Sequence, residues 1–349
     1  MFLIVMQDNN VYKKKLGTLL MNEKQSRRDF LSGMGMAAGA VLGASLLSPL
    51  ENIAAEEIVL DKPKDTIVAV ICGDAAIENL GYASGLYHDL TCGKEEVKFE
   101  PQFTYFLTMS KLIVKQSAVE SDIGFGKSTE EIEEGRALFS RYVSGGEEIA
   151  NHSVGHIDGS NWSRERWRRE IGNFDYLARE IFSNEEGKTI SYKPRGHMAA
   201  HLGVNDEMFD VLEERGYLYD FSVPGNFARV ENGLVKIGIP TYKNRQGKEV
   251  TGLAYNMRLG GITPKDYESI LYQGLKKSGP LIITIGTSDE DEAYSAVANE
   301  FIIELGRENL LRFRTMEGYA REVLSKSGMK TRAYVPEESE KPTVRLRGK

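Results

Sequence analysis

The sequence predicts a parallel α/β barrel, and three observations carry that expectation. Short apolar, β-branched runs alternate with amphipathic helical segments from about residue 66 to 325. The stretch from about residue 56 to 335 is long enough for one large domain or two small ones, and no repeat or Pro/Ser/Gly-rich linker interrupts it. Polar residues gather just after several of the predicted strands, where the chemistry of such a barrel belongs.

The elements follow from changes of period. Thr66 to Cys72 reads as a buried strand, and the aromatic-rich Pro101 to Leu107 as a second. Thr129 to Val143 is helical, with Ile132, Ala137, Leu138 and Tyr142 on one side. Glu147 to Asn151 is a short strand that ends at His152. Ser163 is the N-cap of a long helix through Ile181, with Trp167, Ile171, Phe174, Leu177 and Ile181 at helical spacing. Next come a strand at Ile190 to Lys193, a helix at Asn205 to Arg215 and a strand at Leu218 to Ser222. Helices at Pro264 to Lys277 and Glu292 to Leu305 flank a strand at Leu281 to Ile285. A strand at Leu310 to Arg314 and a helix near Glu317 to Ser325 finish the domain.

Residues 1–55 read as an export signal. Ser26-Arg27-Arg28-Asp29-Phe30-Leu31 precedes an uncharged run, Gly33 to Leu50, that is rich in Ala, Gly, Leu and Met. Small residues at Ala54-Ala55 then lead into Glu56-Glu57. The run is short and weakly apolar for a bilayer anchor. Its Arg-Arg-x-Phe-Leu pattern resembles a twin-arginine signal, which implies the twin-arginine translocation machinery as a partner and a periplasmic or extracellular destination. Met21 is a more ordinary start for such a peptide, so residues 1–20 are expected to be untranslated. Residues 336–349 read as a flexible polar tail. No stable membrane span is expected after cleavage. A net charge of −7 gives no footprint for nucleic acid. Two cysteines, Cys72 and Cys92, make no disulfide framework.

Four of the five histidines, His152, His156, His197 and His201, lie close together in sequence, while His88 stands apart. Imidazole is a common ligand for zinc-like ions, and His152 and His156 are spaced to reach one ion. The first strand ends Cys72-Gly73-Asp74. A carboxylate from Asp74 and the two imidazoles would make a three-ligand set with an open position for water or substrate. The donor set suits zinc and tolerates other divalent ions.

The segment Gly146 to His156, Gly-Glu-Glu-Ile-Ala-Asn-His-Ser-Val-Gly-His, resembles the metal-binding motif of polysaccharide deacetylases with the NodB-homology domain. Val68 to Asp74 is similar to the first family motif, Gln102 to Phe106 to its aromatic strand, and Gly216 to Val223 to its Gly-Tyr-x-Tyr-Asp segment. The resemblance implies an incomplete (β/α)7-type barrel and metal-dependent removal of acetyl groups from N-acetylated carbohydrate or peptidoglycan-like substrates. It implies Asp74, His152 and His156 as metal ligands, with Zn2+ as the expected ion.

Two family groups are missing. The family base position is Gly73, and the late strand Leu281 to Thr287 ends without the histidine that serves as acid. Arg195 corresponds to the family's strand-end arginine, with Lys193 as the other register. Arg195 and His197 are the expected catalytic residues. His201, Asp289 and Glu290 are further candidates for the missing roles. A relative that binds metal and carbohydrate without turnover is the alternative reading.

Overall fold

The computed structural model describes residues 64–72, 102–117, 119–183, 187–286, 291–307 and 311–329, all within one compact unit, Leu60–Lys349. The export signal, the tail, Gly73, Asp74, His88, Cys92, Asp289 and Glu290 lie outside the described residues. Among the described residues, no helix is long and apolar enough to cross a membrane.

The predicted α/β alternation is present. Strand β1 (Lys64–Cys72) runs parallel to β2 (Phe103–Leu107) on one side and to β10 (Leu281–Gly286) on the other. From β2 the sheet continues in parallel through β3 (Glu148–Asn151), β4 (Gly196–His197), β5 (Tyr219–Asp220) and β7 (Leu234–Ile237). Strand β6 (Ala228–Glu231) closes that edge antiparallel to β7, and β11 (Leu311–Phe313) pairs with β1. The sheet curls into an incomplete barrel. Register aligns the strand ends: Cys72 pairs with Phe106 and Gly286, Leu107 with Asn151, Asn151 with His197, and His197 with Asp220.

Alternation of side chains sorts two cores. Ile67, Ala69, Tyr105, Leu107, Ile149 and Ile283 share one cluster with buried residues of α1 (Thr129–Ser144), α2 (Arg164–Ile181), α5 (Pro264–Lys276) and α6 (Glu292–Arg307). Val68, Val70, Phe106, Ala150, Met198, Tyr219 and Val235 face the concave side. There they meet Met316, Tyr319, Ala320 and Leu324 of α7 (Met316–Ser327). A third cluster joins Trp167 and Ile171 of α2 to Met208, Val211 and Leu212 of α3 (Asp206–Glu214).

Helix starts obey capping chemistry. Ser128 and Glu131 form a capping box on α1, and Thr263 and Asp266 form one on α5. The Ser163 hydroxyl accepts from Arg166 N, as the sequence suggests. Asn205 Oδ1 accepts from Met208 N and also from Trp167 Nε1 at 2.9 Å, so one side chain caps α3 and ties α2 to it.

Two segments depart from expectation. The strand expected at Ile190 to Lys193 is absent, and pairing begins only at Gly196. Pro194 directly follows the predicted run, lacks an N–H and restricts Lys193. Gly196 is required there because a Cβ would lie 1.9 Å from Tyr219 Cζ. The β6–β7 hairpin was not expected, although its Asn232-Gly233 turn is the residue pair that a two-residue hairpin favours. Both residues have positive φ, 51° and 89°. A second hairpin, β8 (Thr241–Lys243) with β9 (Glu249–Thr251), the short α4 (Ala254–Leu259) and 3-10 turns at Met109–Leu112 and Ala200–Leu202 complete the described elements.

Helix α7 is fastened to the sheet by one buried carboxylate. Glu148 accepts from Thr104 Oγ1 at 2.9 Å, Tyr219 OH at 2.8 Å and the Glu317 amide at 2.7 Å. Thr104 Oγ1 in turn accepts from Met316 N. The carboxylate therefore faces the positive end of a helix. Burial still outweighs these donors and pushes the Glu148 carboxyl up to about 7. Burial likewise lifts Glu147 to about 7 and Asp175 to about 6. A carboxyl raised in the folded state favours folding fully below its ordinary value and loses that contribution as pH rises through the folded value. The melting temperature should thus fall between pH 5 and pH 8. In Glu148→Gln that fall should be shallower in thermal melts across the same range; an unchanged slope would reject the assignment.

Candidate metal centre

The loop after β3, Asn151 to His156, is held at nearly every polar atom. His152 N donates to Leu107 O, Met109 N to Ser153 O, and Ser110 N to Val154 O, which tie it to the segment after β2. Asn151 Oδ1 accepts from Ser153 N at 2.7 Å, and Ser153 Oγ accepts from His156 N at 2.7 Å. The Glu170 carboxylate of α2 accepts from Val154 N at 2.6 Å. Burial raises the Glu170 carboxyl, and these backbone donors partly offset it.

This scaffold holds an unusual backbone. The described non-glycine residues with positive φ are Ser153, His156, His201, Leu202 and Asn232. All but the hairpin residue Asn232 belong to the loops after β3 and β4. Such conformations cost of order 1–2 kcal/mol each and persist where surroundings over-determine them.

His152 and His156 come together as the sequence predicts, both buried, with ring centroids 5.0 Å apart. His152 Nδ1 lies 2.8 Å from the Met198 carbonyl. A carbonyl only accepts, so Nδ1 carries the proton and Nε2 keeps its lone pair, the tautomer a metal ligand needs.

His201 joins them from the loop after β4, its ring centroid 4.5 Å from that of His156. His201 Nε2 lies 2.9 Å from Asp122 Oδ2 and 3.1 Å from the His156 carbonyl. Asp122 stands in the long connection between β2 and α1, and its amide donates to Gly155 O. Ligand atoms of Asp122, His156 and His201 all lie within 4.8 Å of one another. Zinc bonds of about 2.0–2.2 Å in tetrahedral geometry need donors roughly 3.3–3.6 Å apart. A contraction on the order of 1 Å therefore makes these residues fit a divalent cation. Asp122 carried no signal in the sequence, having neither motif nor periodicity around it.

The expected catalytic residues are placed elsewhere. His197 is only 1% exposed, with Nδ1 3.0 Å from Asp220 Oδ1. Its ring meets Trp167 and Tyr217 edge-on. A ring so enclosed serves the scaffold rather than meeting a substrate. Ser222 Oγ donates to Asp220 Oδ1 at 2.6 Å and accepts from Ala199 N at 2.8 Å, so this buried group fixes the Met198 segment. Arg195 is half-buried, and its carbonyl accepts from Leu218 N. Its charge is felt at Lys193, which burial first and Arg195 second hold down to about 8, among Asp175 and Arg179 of α2. Asp74, the expected third ligand, lies outside the described residues, two positions beyond the end of β1.

Gly155 permits the approach of the Asp122 segment. A Cβ there would lie 1.8 Å from Glu120 O, a backbone atom that cannot swing aside. Gly155→Ala should push the Glu120–Asp122 segment outward and cost about 1–3 kcal/mol of stability. Urea denaturation measures this, and an unchanged midpoint would contradict the packing described.

No protein-family model matches the chain, and no curated protein matches it. Solved structures do. One from Mycobacterium smegmatis, assigned as a polysaccharide deacetylase, is 17% identical, with 80% of this chain and 97% of that chain covered and a TM-score of 0.49. One from Pseudomonas aeruginosa with the same assignment is 14% identical, with 76% and 92% covered and a TM-score of 0.46. The peptidoglycan deacetylase PdaC from Bacillus subtilis is 13% identical, with 77% and 94% covered and a TM-score of 0.43. At low identity, the structures this chain is similar to include polysaccharide and peptidoglycan deacetylases, an acetyl xylan esterase and a pseudoenzyme of the same fold.

Proposed function

We propose that this chain is an exported, metal-dependent hydrolase that removes acetyl groups from N-acetylated carbohydrate or peptidoglycan-like substrates. The observation that carries the reading is the convergence of His152, His156, His201 and Asp122 on one rim of a parallel barrel. Two imidazoles and a carboxylate are the donor types of an open catalytic zinc site. Zn2+ is the expected ion, and Asp74, His152 and His156 are the ligands that the sequence resemblance implies. A bound divalent cation supplies Lewis acidity toward the acetamide carbonyl and lowers the pKa of bound water. Export by the twin-arginine route rests on Arg27-Arg28 and the weakly apolar run after them.

The chain's own residues orient the site. Met198 O fixes the tautomer of His152, Ser153 Oγ and Glu170 hold the loop, and Asp122 turns His201 toward His156. Proton transfer is the weaker half. Gly73 cannot accept a proton. At the end of β10, a Cβ on Gly286 would meet Asp291 Cβ at 2.8 Å and Ala254 Cβ at 3.0 Å, so that strand end has no room for a side chain. Losing a positioned base or acid forfeits roughly 10²–10⁴-fold each. Turnover is therefore expected to be slow. The closed end of β10 is what favours the second reading, a protein that binds metal and carbohydrate without turnover.

Metal content and acetate release from N-acetylglucosamine oligomers or peptidoglycan decide between them, for wild type and His156→Ala. The expected outcome is stoichiometric metal and slow acetate release in wild type, both lost in the variant. Bound metal with no acetate from any sugar leaves the binding protein; no bound metal in wild type removes the site altogether.

A further inference from the structure

We propose that α4 carries a sugar-binding platform, with the Tyr255 ring as the surface on which one unit of an N-acetylated glycan stacks. The inference rests on the carbohydrate reading above and names a binding residue outside every motif that led to it. Among the described residues the exposed large hydrophobics are Tyr255, Leu259 and Met329, at 56%, 65% and 51%. A lone exposed apolar side chain is ordinary. Here two of the three stand four residues apart on one short helix and so share its outer face. Ala254 and Met257 are buried on the other face.

The helix lies on the rim that carries the candidate metal centre. A Cβ on Gly286, the last residue of β10, would meet Ala254 Cβ at 3.0 Å. Gly286 pairs with Cys72 at the end of β1, two positions before Asp74. In the sheet order β3 stands three strands away from β10, about 14 Å at the usual strand spacing. A ring held at α4 is therefore a different sugar unit from the one that reacts at the histidine loop. The filled side-chain position at Gly286 makes this end of the rim a floor for that neighbouring unit.

The platform is anchored before any sugar arrives. Ahead of α4, Thr284 Oγ1 donates to Gly252 O. Behind it, Asn244 Nδ2 donates to Gly260 O at 2.8 Å and Tyr294 OH to Ile262 O at 2.7 Å. The Arg258 guanidinium lies 5.4 Å from the Tyr255 ring centroid, with its Nε 3.9 Å from Asp291 Oδ1. Tyrosine supplies contact area at little conformational cost, and an anchored helix lowers that cost further. The C–H groups on one face of a pyranose carry slight positive charge and match the negative face of an aromatic ring. Arg258 beside the ring offers N–H donors to hydroxyl and acetamide oxygens. A protein partner would need a far larger contact area than one ring and one isobutyl group provide.

Isothermal titration of the full, Zn2+-loaded chain with N-acetylglucosamine oligomers tests the platform without requiring turnover. Tyr255→Ala should weaken oligomer binding roughly two- to tenfold, the range that an aromatic contact supplies. Tyr255→Phe should keep the affinity, and Met329→Ala, at the third exposed apolar residue, should bind as wild type does. Metal content and circular dichroism should be unchanged in all three. In the acetate assay, KM for oligomers should rise in Tyr255→Ala with kcat unchanged. Equal affinity in wild type and Tyr255→Ala overturns the platform and leaves the hydrolase reading standing. A loss in Tyr255→Phe as large as in Tyr255→Ala overturns stacking as the role of the ring. Wild type that binds no oligomer overturns the platform, and its metal content and acetate release then judge the hydrolase reading separately.

Discussion

The hydrogen bond from His152 Nδ1 to the Met198 carbonyl couples the two loops on which the whole rim depends. Either loop alone would be a poor platform, because each carries residues in left-handed backbone conformations. The coupling continues inward from Met198. Its amide donates to Asn151 O, Ala199 N donates to Ser222 Oγ, and Ser222 rests on Asp220, which also holds His197. Asn151 Nδ2 donates to Tyr217 OH, and Tyr217 OH to Asp175 of α2. A line of buried polar contacts thus runs from the histidine loop to the helix layer. Low local dielectric makes such a network rigid when its members are satisfied and costly when one is removed.

Much of the architecture was legible because burial imposes period. Thr66 to Cys72 and Leu281 to Ile285 read as strands since both of their faces are apolar, and Ser163 marked its helix because a hydroxyl there satisfies an orphan amide. What failed to read was short or locally determined. Strands β4 and β5 have two residues each, too few for any period to show. Pro194 displaced the expected strand toward Gly196, and the need for glycine there comes from the Tyr219 ring, a contact distant in sequence. The Asn232-Gly233 turn could have been read from its chemistry alone.

The site was legible by halves for the same reason. His152 and His156 sit one loop apart on a strand that the pattern located, so their meeting followed from local spacing. Asp122 and His201 meet only because β2, β3 and β4 are neighbours in the sheet, and nothing in the sequence around Asp122 announces that. His197 was the reverse case. Its place after a strand suggested chemistry, yet a strand-end residue faces either the open rim or the helix layer. Trp167, Tyr217 and Asp220 show that this ring faces inward. Spacing could not decide that, because the strand expected at Ile190 to Lys193 forms only at Gly196–His197.

The asymmetry of the rim constrains any chemistry done there. At β10 the side-chain position of Gly286 is filled by Asp291 and Ala254, and Ser295 Oγ donates to the Gly286 carbonyl. A side chain introduced at Gly286 would have to displace the buried Asp291 carboxylate. On the opposite side, the connections after β2, β3 and β4 bring four ionisable or metal-ligating side chains together, and Asp122 and His201 remain open to solvent. In the proposed hydrolase reaction, the leaving amine must receive a proton. With β10 closed, the groups able to deliver it lie on the Asp122–His201 side or come from solvent through that side. Under the proposed hydrolase reading, access to the site would come from the Asp122–His201 side and not from the end of β10.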